Sequence, residues 1–224
     1  MSNKLSQRLQ KIASMVKYLS MADIGTDHAH LPIYLLRQGR IEKALASDIA
    51  PGPLQRGREN AASSGFTHSI EFALAAGLKG VKIATYETCI IAGMGGENIK
   101  NILQEDLAIA KSFKQLILSP QRDVPALRRF LHENGFAILE EAMVFEGGKF
   151  YNIIDCKPSL QSSYNEKGYI FGQLLIEQKD PILGKFIRAE IDKITNLPLE
   201  NLPKARREEM EEYLKLCREV LGCL

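Results

Sequence analysis

The run Asp23-Ile24-Gly25-Thr26-Asp27-His28 closes a short apolar stretch and opens a helical pattern. A glycine at such a turn lets backbone approach a ligand, and the free N–H groups of the next helix add partial positive charge. A dinucleotide site would want two further glycines, in the spacing GxGxxG, to admit a pyrophosphate. Those positions are Asp27 and His30. A carboxylate there repels a diphosphate, which disfavours NAD or FAD. It suits a cofactor without phosphate but with positive charge, and S-adenosylmethionine carries both a sulfonium and an α-ammonium group. Asp23 and Asp27 fit it.

Two further segments share this chemistry. Asp48 ends a second apolar run, 23 residues after Gly25. A carboxylate there accepts hydrogen bonds from both ribose hydroxyls of a nucleotide-like cofactor. It could equally cap the helix that starts near Pro51. Ala92-Gly93-Met94-Gly95-Gly96 ends another apolar run. Three glycines in four residues imply either a close approach of backbone to ligand or acceptor base, or turn positions needing positive φ. Asp27, His28 and His30 have no further Cys/His pair nearby, so no metal is expected. His28 reads as a loop residue, and Cys89, inside an apolar strand pattern, as core.

Positive charge is distributed unevenly. Lysine and arginine number 29 against 27 acids, a net +2 that announces no nucleic-acid binder. Yet Lys4, Arg8, Lys11 and Lys17 all precede the first acid, Asp23. With Arg37, Arg40, Lys43, Arg122, Arg128 and Arg129 they could form a phosphate-binding surface.

Short apolar runs alternate with helical stretches along this region. A basic amphipathic helix is expected over 4–19, with Leu5, Leu9, Ile12 and Val16 as its apolar stripe. Strands are expected at 21–24, 44–48, 70–74, 89–92 and 116–118, and helices near 30–38, from Pro51 to about Ser64, after Gly96, and at 124–134. Then the alternation breaks. Phe136–Phe145 and Lys149–Asp155 flank Glu146-Gly147-Gly148 with no room for a helix, a hairpin pattern. The fold class is therefore α/β, a mostly parallel Rossmann-like sheet with its last strand antiparallel, as in class I methyltransferases.

Residues 1–158 form the expected cofactor domain and 159–224 a helical, coiled-coil-like appendage. The latter has helices near 166–179, 182–195 and 203–222. Met210, Leu214, Cys217 and Leu221 form a seam facing Leu183, Ile187, Ile191 and Ile194. No apolar run reaches the ~20 residues of a bilayer span, and no secretory signal or disulfide framework is visible. A cytoplasmic location without a membrane or an obligate protein partner is expected.

The motifs LSQRLQKIA (5–13), MADIGTDHAHLP (21–32), ASDIAPGPL (46–54), IAGMGG (91–96), LILSPQ (116–121) and GGKFYNII (147–154) together resemble the TrmK family of bacterial tRNA (adenine-22-N1)-methyltransferases. The resemblance covers most of the chain. It implies S-adenosylmethionine as cofactor, S-adenosylhomocysteine as product, and methylation of N1 of an adenine in the D-arm region of tRNA. Cofactor contacts are implied for Asp23, Gly25, Thr26, His28, Asp48, Ile49, Ala75, Ala76, Gly93 and Met94. RNA or acceptor-base contacts are expected at Lys4, Arg8, Lys11, Gly95, Gly96 and Arg122, with Asp27 as catalytic acid-bearing residue. The sequence departs from the family at Ala75-Ala76-Gly77-Leu78, where many members carry an acid, and at Ser119-Pro120-Gln121, where others place Gln before Pro. The alternatives are a nicotinamide-dependent oxidoreductase and a non-catalytic RNA-binding protein with a degenerate cofactor pocket.

Overall fold

A computed structural model describes residues 5–199 and 202–224. The chain forms two compact units, the first ending at Ser163 and the second running Tyr164–Leu224. In the first unit the elements run α1 (Gln7–Met15), β1 (Ser20–Ile24), α2 (His30–Arg37), β2 (Lys43–Asp48), α3 (Pro51–Ser63) and β3 (Ile70–Leu74). They continue with β4 (Thr88–Met94), α4 (Gly96–Glu105), α5 (Leu107–Ala110), β5 (Gln115–Pro120), α6 (Val124–Glu133), β6 (Phe136–Glu146) and β7 (Lys149–Pro158).

The seven strands form one sheet in the order β3-β2-β1-β4-β5-β7-β6. Strands β1 to β5 pair in parallel, and β7 runs antiparallel between β5 and β6. Chain order reverses between β1 and β4. In an open α/β sheet the crevice at such a switch point, outside the carboxyl ends of the strands, is where ligands sit. That edge carries Gly25, Asp48 and Gly93.

Helix α1 is shorter than its periodicity suggests. The stripe continues to Val16, but Val16 is extended. The cause is tertiary. Arg40 donates to the carbonyls of Ala13 (2.8 Å), Ser14 (3.3 Å) and Val16 (2.8 Å), and so takes up acceptors at the helix end. Arg40 is thus a cap for α1 rather than part of a phosphate surface. Ile12, Ala13 and Met15 of α1 join Leu31, Ile33, Leu35 and Leu36 of α2 in a cluster on Met21, Ala44, Ile90 and Ile117. Each fully buried aliphatic side chain there contributes about 1.5–3 kcal/mol. Helices α4 and α6 pack against each other and against β4, β5 and β6.

The β6–β7 hairpin reaches past its neighbour. Strand β7 pairs with β5 only from Leu116↔Cys156 to Leu118↔Ile154, whereas the β6–β7 register continues to Glu146↔Lys149. Its tip therefore stands at the carboxyl edge, beside the switch point. Beyond β7, Gln161 accepts from the Ile138 N–H at 2.7 Å and donates to the Ile138 carbonyl at 3.2 Å. This tie carries the first unit past residue 158.

In the second unit a π-helical turn (Gly168–Gly172) leads to α7 (Gln173–Glu177), α8 (Pro181–Thr195) and α9 (Lys204–Leu221). Leu183, Ile187 and Ile194 of α8 and Leu214, Cys217 and Val220 of α9 are buried. Val220 thus takes the place in the seam that spacing assigns to Leu221.

Candidate active site at the switch point

The loop after β1 is locked to β2. Gly25 and Thr26 donate their N–H groups to the Ser47 carbonyl at 2.8 and 3.0 Å. Gly25, Asp27 and Ala29 all have positive φ, at 72°, 43° and 56°. Two of these are not glycine, a strained conformation that persists only where the surroundings enforce it. It turns the Asp27 N–H toward Asp48 Oδ2 (3.4 Å), and Asp48 Oδ1 accepts from Ala50 N–H at 2.9 Å. Asp48 therefore braces the loop and does not cap α3, whose N-cap is Ala50.

Asp23 is buried beneath this loop, and Thr26 Oγ1 donates to its Oδ2 at 2.7 Å. Burial, with lesser repulsion from Asp48 and Asp27, pushes its carboxyl up to about 6. Asp27 is open to solvent, its side chain 71% exposed, and its Oδ1 lies 3.1 Å from His28 Nε2. Three carboxylates thus gather at one crevice.

The β4 loop forms the opposite wall. A side chain on Gly25 would collide with the Met94 methyl, so the two loops abut. The three glycines near Met94 then part ways. Gly96 donates its N–H to the Arg122 carbonyl at 2.8 Å, and a Cβ on it would stand 2.5 Å from the Asp123 carbonyl oxygen. A Cβ on Gly95 would stand 2.9 Å from Arg122 Nε. Gly96 is small because the backbone of the β5–α6 turn packs on it, whereas only the exposed Arg122 side chain stands beside Gly95. Gly93, at φ 84°, is different. Its surroundings are the tips of Arg8 and Gln121.

On the other flank, Leu74, paired with Asp48 at the end of β3, is 63% exposed, and Ile49, just past the end of β2, is 73% exposed. Ala75 donates its N–H to the Asp48 carbonyl at 3.0 Å, and Ala76 is exposed. With no acid at 75–76, two apolar side chains and backbone line this side, which suits the face of a heterocycle.

The basic residues sort by partner. Lys4 lies outside the described residues. Arg8 lies over the Tyr151 ring at 5.0 Å. Lys11 meets Glu140 at 3.5 Å, and Lys17 meets the buried Asp155 at 2.6 Å. The acid-free N-terminal run is thus matched in space by acids of β6 and β7. Arg128, read from sequence as part of a phosphate surface, is fully buried, its Nε 2.7 Å from Glu141 Oε1. Arg122, its side chain 77% exposed, lies 3.5 Å from Asp123 Oδ2. Sequence reasoning missed Tyr151. Its signals were an aromatic pair just after the Gly147-Gly148 turn and its place in the motif GGKFYNII.

A sheet ordered 3-2-1-4-5-7-6, with acids in place of phosphate-binding glycines at its switch point, defines a class I methyltransferase. A methyltransferase-domain family matches residues 5–154. The tRNA (adenine(22)-N(1))-methyltransferase of Bacillus subtilis is 27% identical over 231 residues, covering 97% of each chain. A Streptococcus agalactiae protein of the NADB-Rossmann superfamily is 33% identical over 97% of each chain, with a TM-score of 0.91. M. capricolum TrmK, solved in complex with S-adenosyl-homocysteine, is 26% identical over 98% of each chain, with a TM-score of 0.87. The chain belongs to the TrmK family of tRNA (adenine(22)-N1)-methyltransferases.

Proposed function

We propose that this chain transfers a methyl group from S-adenosylmethionine to N1 of an adenine in tRNA, position 22, in the cytoplasm. The observation that carries the reading is the acidic crevice. Asp23, Asp27 and Asp48 meet at the switch point, and a carboxyl that burial makes costly to ionise gains from a cationic ligand that stabilises its charged form. A nicotinamide dinucleotide fits poorly, because Asp27 stands where its diphosphate would lie. The four free cysteines agree with a reducing compartment. Among the described residues, no helix is long and apolar enough to cross a membrane.

S-adenosylmethionine, when bound, supplies an electrophilic methyl group on a sulfonium. Asp48 would accept from the ribose hydroxyls, Ile49 and Leu74 would flank the adenine, and the first loop with Asp23 would hold the cationic end. Gly25, Thr26, His28, Ala75, Ala76 and Met94 would border it with backbone or packing contacts. The nucleophile needs no base, because N1 of neutral adenine has a lone pair. The protein's main work is placement, and correct alignment alone is worth several kcal/mol, up to about 7–11. Asp27 would accept from the exocyclic amine as positive charge develops on the ring. Gly93 leaves room for a base swung out of its helix, which N1 requires because it lies on the Watson–Crick edge. Arg8 would hold the RNA backbone, with Arg122 and Lys11 lesser contributors because Asp123 and Glu140 each lie 3.5 Å from them.

Nucleoside analysis of tRNA after incubation with protein and S-adenosylmethionine tests this. The expected product is 1-methyladenosine, lost when position 22 is changed to guanine. Absence of 1-methyladenosine from every tRNA would end the proposal.

A further inference from the structure

Recognition of the target base faces a constraint. Because N1 is the reacting atom, the site cannot identify adenine by bonding to N1. The distinguishing groups left are the N6 amine and N7, on the Hoogsteen edge. A reader there must offer one acceptor and one donor side by side. A carboxamide has that pair.

Gln121 stands in the required place. Its N–H donates to the Met94 carbonyl at 2.8 Å, which fixes the loop after β5 against the loop after β4. Its side chain points to Gly93, with Nε2 3.9 Å from where a Cβ would be. Arg8 Nη1 and Nη2 approach the same point at 3.8 and 3.9 Å, from a guanidinium stacked on Tyr151. Among the described residues, no hydrogen bond of the Gln121 carboxamide to protein is present, and Arg8, whose neighbouring acid is Glu146, still directs both terminal guanidinium nitrogens to this point. Two planar polar groups therefore converge on Gly93, whose φ of 84° calls for glycine and whose surroundings are only these side-chain tips.

We infer that Gln121 is the residue that selects adenine: its Oε1 accepts from the N6 amine and its Nε2 donates to N7, leaving N1 free toward the cofactor side. Guanine is refused. Turning the carboxamide to donate to O6 would set its oxygen against N7, so both bonds cannot form together. Arg8, positioned by Tyr151, lies on the other side of Gly93 and holds the RNA backbone beside the base. This inference rests on the adenine-N1 reading above.

The test pairs protein and substrate changes. Wild type, Gln121→Ala and Gln121→Glu are assayed on tRNA carrying adenosine or 7-deazaadenosine at the target position, with kcat and KM separated and S-adenosylmethionine saturating. Loss of a bidentate base contact corresponds to roughly 10- to 100-fold in kcat/KM. Wild type should lose about that much on 7-deazaadenosine, and Gln121→Ala should lose it on adenosine with little further loss on 7-deazaadenosine. Gln121→Glu keeps an acceptor for N6 but repels N7, so it should prefer 7-deazaadenosine, reversing the wild-type order. Independent, multiplying losses in Gln121→Ala, or an unreversed preference in Gln121→Glu, would overturn the assignment. Melting temperature and S-adenosylmethionine affinity of both variants should match wild type, since the exposed side chain supports neither. Wild type on all-adenosine tRNA reports the underlying reading separately.

Discussion

Thr26 donates its hydroxyl to Asp23 across 2.7 Å, and this bond lowers the Asp23 carboxyl without cancelling its burial. The acid remains near 6, against 3.8 for an ordinary one. The unfolded chain therefore releases this proton at lower pH than the native protein does. Between about pH 4 and 6 the native state holds more protons, and this residue's share of stability falls as pH rises. Above 6 the full cost of a buried charge is present, of the order of 3 kcal/mol for two pKa units. Asp23→Asn should then raise apo-protein stability at pH 7.5 by about 1–3 kcal/mol, with the advantage fading as pH drops through 6 toward 4. Binding shows the opposite sign. A cationic cofactor favours ionised Asp23, so wild-type S-adenosylmethionine affinity should fall about tenfold between pH 7.5 and 5, with proton release at the lower pH, and Asp23→Asn should bind weakly at both. Calorimetry in buffers of different ionisation enthalpy measures this. A flat affinity profile would detach Asp23 from the cofactor.

Asp48 and Asp27 should separate by step. Asp48 makes one short bond to the protein, from Ala50 N–H, and would make charge-assisted bonds to two ribose hydroxyls. Such bonds are worth about 1.5–3 kcal/mol each. Asp48→Ala should weaken S-adenosylmethionine binding by at least about 30-fold and, because it also frees the Asp27 and Ala50 N–H groups, should lower the melting temperature modestly. Asp27→Asn should leave affinity within a few-fold but slow single-turnover methylation at saturating cofactor. A normal single-turnover rate removes Asp27 from the chemistry, and a normal calorimetric affinity removes Asp48 from the ribose.

The contrast between loops and surface shows what a single sequence carries. Strands β1 to β5, the closing hairpin and the acidic first loop were legible because each is written in contiguous residues: apolar runs, Gly25 with Asp27, Gly147-Gly148. What could not be read depends on partners far along the chain. Lys17 reads as a free cation until Asp155 is brought to it, and α1 reads as continuing past Met15 until Arg40 takes its carbonyls. The same limit hid the placement of Gln121 and Tyr151, which stand in the motifs LILSPQ and GGKFYNII but reach Gly93 and Arg8 only once β5 and β7 are in place.

That pairing pattern predicts unequal contributions to RNA binding. Arg8→Glu should weaken tRNA binding and lower the slope of log affinity against log salt by about one phosphate contact. Lys11→Glu should do less, since Glu140 already screens that charge. Tyr151→Ala removes the platform under Arg8, a contact worth about 0.5–2 kcal/mol, and should raise KM for tRNA without changing S-adenosylmethionine affinity. Filter binding across a salt series measures all three. Equal slopes for Arg8→Glu and Lys11→Glu would place the RNA elsewhere on the surface.

The buried pair Arg128–Glu141 makes a prediction about architecture instead. Arg128 bonds Glu141 at 2.7 Å and reaches Asn152 Oδ1 at 3.2 Å, joining α6 to both strands of the hairpin that carries Tyr151. Arg128→Met leaves the Glu141 carboxylate buried without its cation, which costs about 3–5 kcal/mol. Replacing both, as Arg128→Met with Glu141→Leu, removes the orphaned charge and should recover most of that loss. A surface arginine holding RNA would behave in reverse, with unchanged stability and weakened tRNA binding in the single variant. Denaturant melts of the single and double variants decide between them: a single variant as stable as wild type would mean that Arg128 does not hold the hairpin.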